Sequence, residues 1–111
     1  KGFSKLPDGR NIQDVVLYLH TEYMNPVSVE DILKLCALSR SHFHALFKKE
    51  TGQTLIAYLS ALRCEKAAEL LKTTDRTIMQ ISQDSGFNNL SHFYHTFRRN
   101  YKVSPGEFRG A

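Results

Sequence analysis

Apolar residues recur every three or four positions along most of the chain, which is the spacing that places them on one face of a helix. No segment shows the strict alternation of apolar and polar residues that is typical of a half-buried strand. The pattern therefore predicts an all-α fold of about seven helices. Residues 1–10 carry two glycines and a proline without periodicity, and they are predicted to form a linker or an irregular end. The first helix is predicted to begin after Asn11 and to end before Pro26.

Two segments, residues 28–51 and 77–101, each predict a short helix, a brief turn and a second helix with a polar outer face. Such a pair of helices is a helix-turn-helix. A long periodic segment over about 54–72 predicts a linker helix that joins the two pairs, and Ser104 with Pro105 predicts one more short helix at the end. The helix starts and stops are marked by Ser28, Ser39 and Gly52 in the first segment and by Thr77, Gly86 and Asn89 in the second.

The second helix of each segment carries nearly the same residues, SHFHALFKK from Ser41 to Lys49 and SHFYHTFRR from Ser91 to Arg99. Both copies share the frame Ser-His-Phe-x-x-x-Phe followed by two cations. Because phenylalanines four residues apart lie on one face of a helix, each pair is predicted to be buried. A helix with one packed face, one polar face and paired cations has the form of a surface that lies on a polyanion.

Charge is unevenly distributed along the chain, whose formal net charge is +4. Residues 1–39 carry four cations and five anions, a net charge of −1, whereas residues 40–111 carry eleven cations and six anions, a net charge of +5. No Asp or Glu lies between Ser85 and Gly106. The positive charge is concentrated where the repeated helices are, which favours nucleic acid as the partner.

Few features point to an enzyme or to a membrane protein. The sequence contains no glycine-rich phosphate loop and no His-Glu-x-x-His arrangement, and His42 and His44, two residues apart, point to different sides of a helix. We therefore expect no catalysis, no cofactor and no metal. Cys36 and Cys64 lie in apolar helical patterns and are expected to be free buried thiols, with a disulfide as the alternative. No apolar run is long enough for a signal peptide or a membrane span, so no membrane contact and a cytoplasmic location are expected.

Several motifs carry a family resemblance. They are Arg63-x-x-x-Ala67-Ala68-x-Leu70-Leu71, Gly86-Phe87, Ser91-x-Phe93-x-x-x-Phe97-Arg98 and Ser104-Pro105-x-x-Phe108-Arg109. Together with the order of elements, they resemble the DNA-binding domain of the AraC/XylS family of bacterial transcription regulators, and the similarity covers residues 11–109. Three positions depart from the family pattern: Leu33 and Ser82 stand where the family usually has alanine or another small residue, and Lys102 stands where it often has glycine.

The resemblance implies a function and partners. It implies sequence-specific binding of double-stranded DNA by two recognition helices in successive major grooves, commonly with activation of transcription through contact with RNA polymerase. It also implies a separate N-terminal effector-sensing or dimerising domain that is missing from this chain, and a location in the cytoplasm at the bacterial nucleoid. A linker helix of about eighteen residues would span about 27 Å, which is commensurate with the ~34 Å between successive major-groove faces of B-DNA.

The outward arcs of the two repeated helices supply the candidate DNA-contacting residues, and the family resemblance points to similar positions. Leu90 and His92 flank the second arc. Base edges are expected to be read by Ser41, His44, Ala45, Ser91 and His95, with Tyr94 contacting either an edge or a phosphate. Phosphates are expected to be bound by Arg40, Lys48, Lys49, Arg98, Arg99 and the capping turns at Ser39 and Asn89.

Each assignment has a plainer alternative. The basic pairs can be a solvated helix face, and His92, like His42 at the matching position, can be a structural hydrogen-bonding residue beside the packed phenylalanine. Arg63 and Arg76 are expected to serve packing or surface ion pairs. The alternative function for the whole chain is a helical protein–protein interaction module without direct DNA contact.

Overall fold

The computed structural model describes residues 12–36 and 38–111. This part of the chain contains no strand and seven helices, namely α1 (Ile12–Glu22), α2 (Val29–Leu35), α3 (Arg40–Thr51), α4 (Leu55–Thr73), α5 (Ile78–Asp84), α6 (Leu90–Tyr101) and α7 (Pro105–Gly110). The predicted all-α fold is confirmed. The predicted linker at 1–10 and the predicted cap Asn11 lie outside the described residues. None of these seven helices is both long enough and apolar enough to cross a bilayer.

Most helices begin at a side chain that accepts a hydrogen bond from the first turn. Ser28 is an example, because its hydroxyl accepts from the backbone N–H of Asp31 at 3.0 Å. The first four N–H groups of a helix have no partner within the helix, so a residue of this kind stabilises the start. Equivalent caps, all at positions predicted from the sequence, are formed by Ser39, Thr77, Asn89 and Ser104.

Three helices are followed by a residue in the left-handed backbone conformation. The φ angle is 82° at Gly52 after α3, 101° at Gly86 after α5 and 71° at Lys102 after α6. This conformation suits glycine because glycine has no Cβ. Lys102 is the one non-glycine residue with positive φ among the described residues, and it occupies a position where the family often has glycine.

The chain folds into two compact units, and the first comprises residues 12–22 and Pro26–Leu59. It holds α1, α2, α3 and the start of α4. The ring of Tyr58 meets that of Phe47 edge-on at 5.6 Å, and the Tyr58 hydroxyl is 2.9 Å from Nε2 of His20. The apolar side chains buried in this unit are Ile12, Val15, Leu19, Ile32, Cys36, Phe43, Phe47 and Leu55.

The second unit comprises Tyr23–Asn25 and Ser60–Ala111, and it holds the rest of α4 with α5, α6 and α7. The ring of Phe108 packs against the rings of Phe97 and Tyr101 at 5.5 and 5.2 Å, so α7 is attached to the core of this unit. The buried core consists of Cys64, Ala67, Ala68, Leu71, Ile81, Phe87, Phe93 and Phe97.

Arg63 binds residues Tyr23–Asn25 to the rest of the second unit. Its Nε donates to the Tyr23 carbonyl oxygen at 2.8 Å and its Nη2 to the Asn25 carbonyl oxygen at 3.0 Å. Burial lowers the pKa of this guanidinium. Arg76 forms an exposed ion pair with Asp84 at 2.7 Å. Both arginines therefore serve packing or an ion pair, as expected.

Both cysteines are free and buried, as predicted. Cys64 lies in α4, where burial raises the pKa of its thiol to about 12. The prediction that Cys36 lies inside a helix was wrong. Cys36 is the C-terminal cap of α2, and its thiol donates to the carbonyl of Ile32 at 3.6 Å.

The other two departures from the family pattern are accommodated within the units. Leu33 is half-buried in α2 and Ser82 is buried in α5. A buried hydroxyl destabilises a fold unless it is hydrogen-bonded. Among the described residues, no buried side-chain nitrogen or oxygen lacks a hydrogen-bond partner.

Candidate nucleic-acid interface

Helix α3 buries one face and exposes the opposite one. Phe43 and Phe47 are fully buried with their rings 5.7 Å apart, as their four-residue spacing predicts. Arg40 follows the Ser39 cap and is exposed. The remaining candidate residues of α3, all exposed on the surface of the first unit, are Ser41, His44, Ala45, Lys48 and Lys49.

Helix α6 has the same arrangement in the second unit. Phe93 and Phe97 are fully buried with their rings 5.7 Å apart. Leu90 differs from the other candidates, because it is half-buried and packs against the core of the unit. The exposed candidates of this helix and its cap are Asn89, Ser91, His92, Tyr94, His95, Arg98 and Arg99.

The two matching histidines beside the packed phenylalanines are both exposed. The His92 ring lies 5.8 Å from the ring of Phe87, so His92 contacts the core while remaining on the surface. The backbone N–H groups of His42 and His92 are taken by the capping side chains of Ser39 and Asn89. The side chains themselves remain accessible to a partner.

Two of the candidate arginines are engaged by carboxylates of their own unit. Arg40 donates to Glu30, and that hydrogen bond lowers the pKa of the Glu30 carboxyl. Arg98 Nη1 lies 3.8 Å from Glu107 Oε1; hydrogen bonds from Ser104, and then the charge of Arg98, lower the pKa of that carboxyl. These four charged side chains are largely exposed, so water screens both pairs and a phosphate can compete for each guanidinium.

The other three candidate cations have no carboxylate within 4.0 Å among the described residues. Lys48 and Lys49 make no ion pair with any residue that the structure describes. Arg99 Nη2 lies 3.0 Å from Nε2 of His95, one turn earlier on α6. The basic surface of α6 therefore contains one arginine beside a carboxylate and one beside an imidazole.

The N-terminal ends of α3 and α6 add backbone donors to these surfaces. In each helix the cap occupies one N–H of the first turn. A helix has four N–H groups at its start without partners in the helix, and they carry partial positive charge. Those that remain can donate to a phosphate oxygen.

Glu30 and Glu107 lie beside Arg40 and Arg98, although no short-range sequence pattern connects either pair. Glu107 belongs to the capping box of α7, where its carboxylate accepts from the backbone N–H of Ser104 at 2.9 Å. Glu30 and Arg40 are ten residues apart in different helices, so no helical spacing connects them. Within the described residues, no group of three or more His, Cys, Asp or Glu side chains is placed to hold a metal ion.

Comparisons with known proteins give the same family as the motifs. A family model described as a helix-turn-helix domain matches residues 33–111. The chain is 35% identical over 92 residues to the xylose operon regulatory protein of Escherichia coli strain K12, which covers 83% of this chain and 24% of that protein. It is 33% identical over 99 residues to the lactose operon transcription activator of Staphylococcus xylosus, which covers 89% of this chain and 36% of that protein.

A solved structure gives the corresponding result for the fold. The DNA-binding domain of the global transcriptional factor AdpA, in complex with a target DNA, matches with a TM-score of 0.84 and 25% identity over 89% of each chain. The present chain spans only about a quarter to a third of the length of the two curated relatives, 24% and 36%. The family model nevertheless covers most of the chain, and the chain belongs to the AraC/XylS family of helix-turn-helix transcription regulators.

Proposed function

We propose that this chain binds double-stranded DNA at specific sequences, as the DNA-binding part of a bacterial transcription regulator. The observation that carries the proposal is that two helices expose similar surfaces. Helices α3 and α6 each bury a pair of phenylalanines and expose polar side chains together with two consecutive cations. The likeness to a domain solved with its target DNA supports the same function.

The recognition helices of this proposal are α3 and α6, which enter successive major grooves. Helix α4 lies between them in the chain, and its 19 residues at about 1.5 Å each span about 28 Å. That length is commensurate with the ~34 Å repeat of B-DNA. The predicted site is about 15 to 20 base pairs, one and a half to two turns of the duplex.

The roles of the residues follow from their chemistry. The outward arc of α3 has no Asn or Gln, and its one arginine precedes the arc. Few bidentate base contacts are therefore available to α3. Base edges are read by Ser41, His44, Ala45, Ser91 and His95, and Tyr94 contacts either a base edge or a phosphate. Phosphates are bound by Arg40, Lys48, Lys49, Arg98, Arg99 and the helix starts after Ser39 and Asn89.

The remaining parts of the proposal concern the longer protein. They are an N-terminal effector-sensing or dimerising domain, contact with RNA polymerase, activation of transcription and a location in the cytoplasm at the nucleoid. They rest on family membership and on the Staphylococcus xylosus relative, which is named a transcription activator. A reporter gene placed behind the selected site, with and without the full-length protein, measures whether transcription rises.

The test of the DNA-binding proposal is selection from random duplexes, followed by affinity measurements at several salt concentrations. His95→Ala is expected to relax the preference at one or two base pairs by about 1–3 kcal/mol. Lys48→Ala is expected to weaken all sequences similarly and to make the salt slope shallower by about one unit, because one phosphate contact is lost. An unchanged base preference in the His95→Ala selection would contradict the reading role of His95.

A protein-interaction module remains the second candidate, favoured by large apolar side chains at the surface. Leu17, Ile56 and Met79 are 52%, 78% and 55% exposed. Binding of arbitrary duplex DNA that weakens steeply with salt identifies phosphate contacts. If the chain is retained neither on duplex DNA nor on heparin at low salt, the DNA-binding proposal is wrong and the interaction module takes its place.

A further inference from the structure

A direct contact joins a candidate base reader to a candidate phosphate binder on α6. Arg99 Nη2 lies 3.0 Å from His95 Nε2. The two residues are four apart and both are exposed, so they are neighbours on the same outward face. The contact constrains the protonation of the ring as well as its position, because a guanidinium only donates hydrogen bonds whereas an imidazole nitrogen can either donate or accept one.

The contact determines which imidazole nitrogen carries the proton. A guanidinium has only donors, and a hydrogen bond to it needs an acceptor. Nε2 of His95 must therefore be the unprotonated nitrogen of a neutral ring, and the single ring proton is on Nδ1. An imidazolium ring has no acceptor and cannot form this bond.

We infer that Arg99 is a positioning residue that holds His95 as the Nδ1–H tautomer, so that His95 reads a hydrogen-bond acceptor on a base edge. The inference rests on the proposed function and deepens it at one position. In the major groove, guanine offers N7 and O6, adenine offers N7 and thymine offers O4 as acceptors, whereas cytosine offers the N4 amino donor. With Nε2 occupied, His95 has no free acceptor for that donor, so cytosine is the base it rejects.

Arg99 has enough donors to serve phosphate and histidine together. A guanidinium carries five N–H donors in a planar fork, and the bond to His95 uses one of them. Among the described residues, no carboxylate lies within 4.0 Å of Arg99, whereas Arg98 has Glu107 at 3.8 Å. The remaining N–H groups of Arg99 are thus available to a phosphate. One side chain then contacts the DNA backbone and orients the imidazole ring of His95.

The matched pair for the test is Arg99→Met and Arg98→Met. Each removes one positive charge from the same turn of α6 and keeps an unbranched side chain, but only the first removes the donor to His95. The tautomer is read from nitrogen chemical shifts of the isotope-labelled 111-residue chain without DNA, at about pH 8 where an ordinary imidazole is neutral. The His95 signals are identified by their loss in His95→Asn.

We expect the Nδ1–H form of His95 in the unchanged chain and in Arg98→Met, and a shift towards the Nε2–H form in Arg99→Met. A His95 ring that is mainly Nε2–H in the unchanged chain overturns the inference. So does a tautomer in Arg99→Met that equals that of the unchanged chain. Because these spectra contain no DNA, they report on the contact independently of the proposed function.

Selection from random duplexes is the second readout. At the base pair affected by His95→Ala, Arg99→Met is expected to increase tolerance of cytosine by about tenfold, the size of one base-edge hydrogen-bond preference. Arg98→Met is expected to weaken all sequences with the ranking of bases unchanged. Equal base rankings for both variants overturn the inference while leaving DNA binding intact. If the unchanged chain selects no sequence at all, the proposed function fails, and the reading role fails with it.

Discussion

Replacing Gly86 with alanine is expected to destabilise the protein far more than the same change at Gly52. Both glycines have a left-handed backbone, with φ of 101° and 82°. A Cβ at Gly52 would meet no atom within 4 Å, whereas one at Gly86 would lie 2.3 Å from the Tyr23 carbonyl oxygen and 2.7 Å from Arg63 Nε. Those two atoms are hydrogen-bonded to each other at 2.8 Å. The added methyl group must therefore separate them or displace the backbone.

The magnitude follows from two contributions. The left-handed conformation costs an alanine about 1–2 kcal/mol at either position. At Gly86, loss of the Arg63 hydrogen bond adds about 1.5–3 kcal/mol, since the donor is charged. We expect Gly86→Ala to lower the free energy of unfolding by roughly 2.5–5 kcal/mol and Gly52→Ala by about 1–2 kcal/mol. The first value is comparable with the whole stability of a marginal domain.

Urea unfolding followed by circular dichroism measures both losses. Gly106→Ala is the control in the same unit as Gly86, because φ is not positive there and a Cβ would meet no atom within 4 Å. Arg63→Met removes the hydrogen bonds to Tyr23 and Asn25 without adding a Cβ at Gly86, and a loss of at least about 1.5–3 kcal/mol is expected. Equal losses for Gly86→Ala and Gly52→Ala would refute the reasoning, because backbone conformation alone would then set the cost.

Two further substitutions test other features of the structure. Lys102→Gly is expected to raise the free energy of unfolding by about 1 kcal/mol, because φ is 71° at this helix end and glycine adopts it without strain; a lower melting temperature would contradict this. Glu30→Gln removes the carboxylate that holds Arg40, so binding to arbitrary duplex DNA is expected to tighten and its salt slope to steepen by about one unit. Glu50→Gln, which removes the same charge from the exposed surface of α3, is the control, and equal slopes for the two variants would count against release of Arg40.

Local features of the fold could be predicted from the sequence because their causes are local. A capping hydroxyl acts on an N–H three residues away, as Ser28 does on Asp31, and burial of Phe43 with Phe47 follows from helical periodicity. The left-handed ends at Gly52 and Gly86 follow from the absence of a Cβ. These effects need no knowledge of which helix packs on which.

The features that could not be predicted depend on residues brought together by the fold. Arg63 and Tyr23 are forty positions apart, and no spacing rule pairs a guanidinium with a backbone carbonyl at that distance. Leu90 was assigned to the DNA-facing set because the helical wheel alone does not reveal that it packs against the core. The exposed face of α6 was predicted as a set of positions, but the Arg99–His95 contact was not, since i, i+4 neighbours can meet only if their rotamers agree.

The candidate cations differ in whether a carboxylate lies beside them, and this difference bears on what each can contribute to DNA binding. Lys48 and Lys49 are unpaired within the described residues. A phosphate contact made by either lysine therefore breaks no existing ion pair, and the counterions released from the DNA contribute fully to the binding free energy. Arg40 and Arg98 must exchange a carboxylate for a phosphate. This exchange contributes less binding free energy than a contact by an unpaired lysine, because each arginine already has an anion beside it. In return, their guanidinium groups are oriented before DNA arrives, which reduces the ordering cost of binding. We therefore propose that Lys48 and Lys49 supply most of the sequence-independent attraction, whereas Arg40 and Arg98 fix the register in which the base-reading side chains meet the groove.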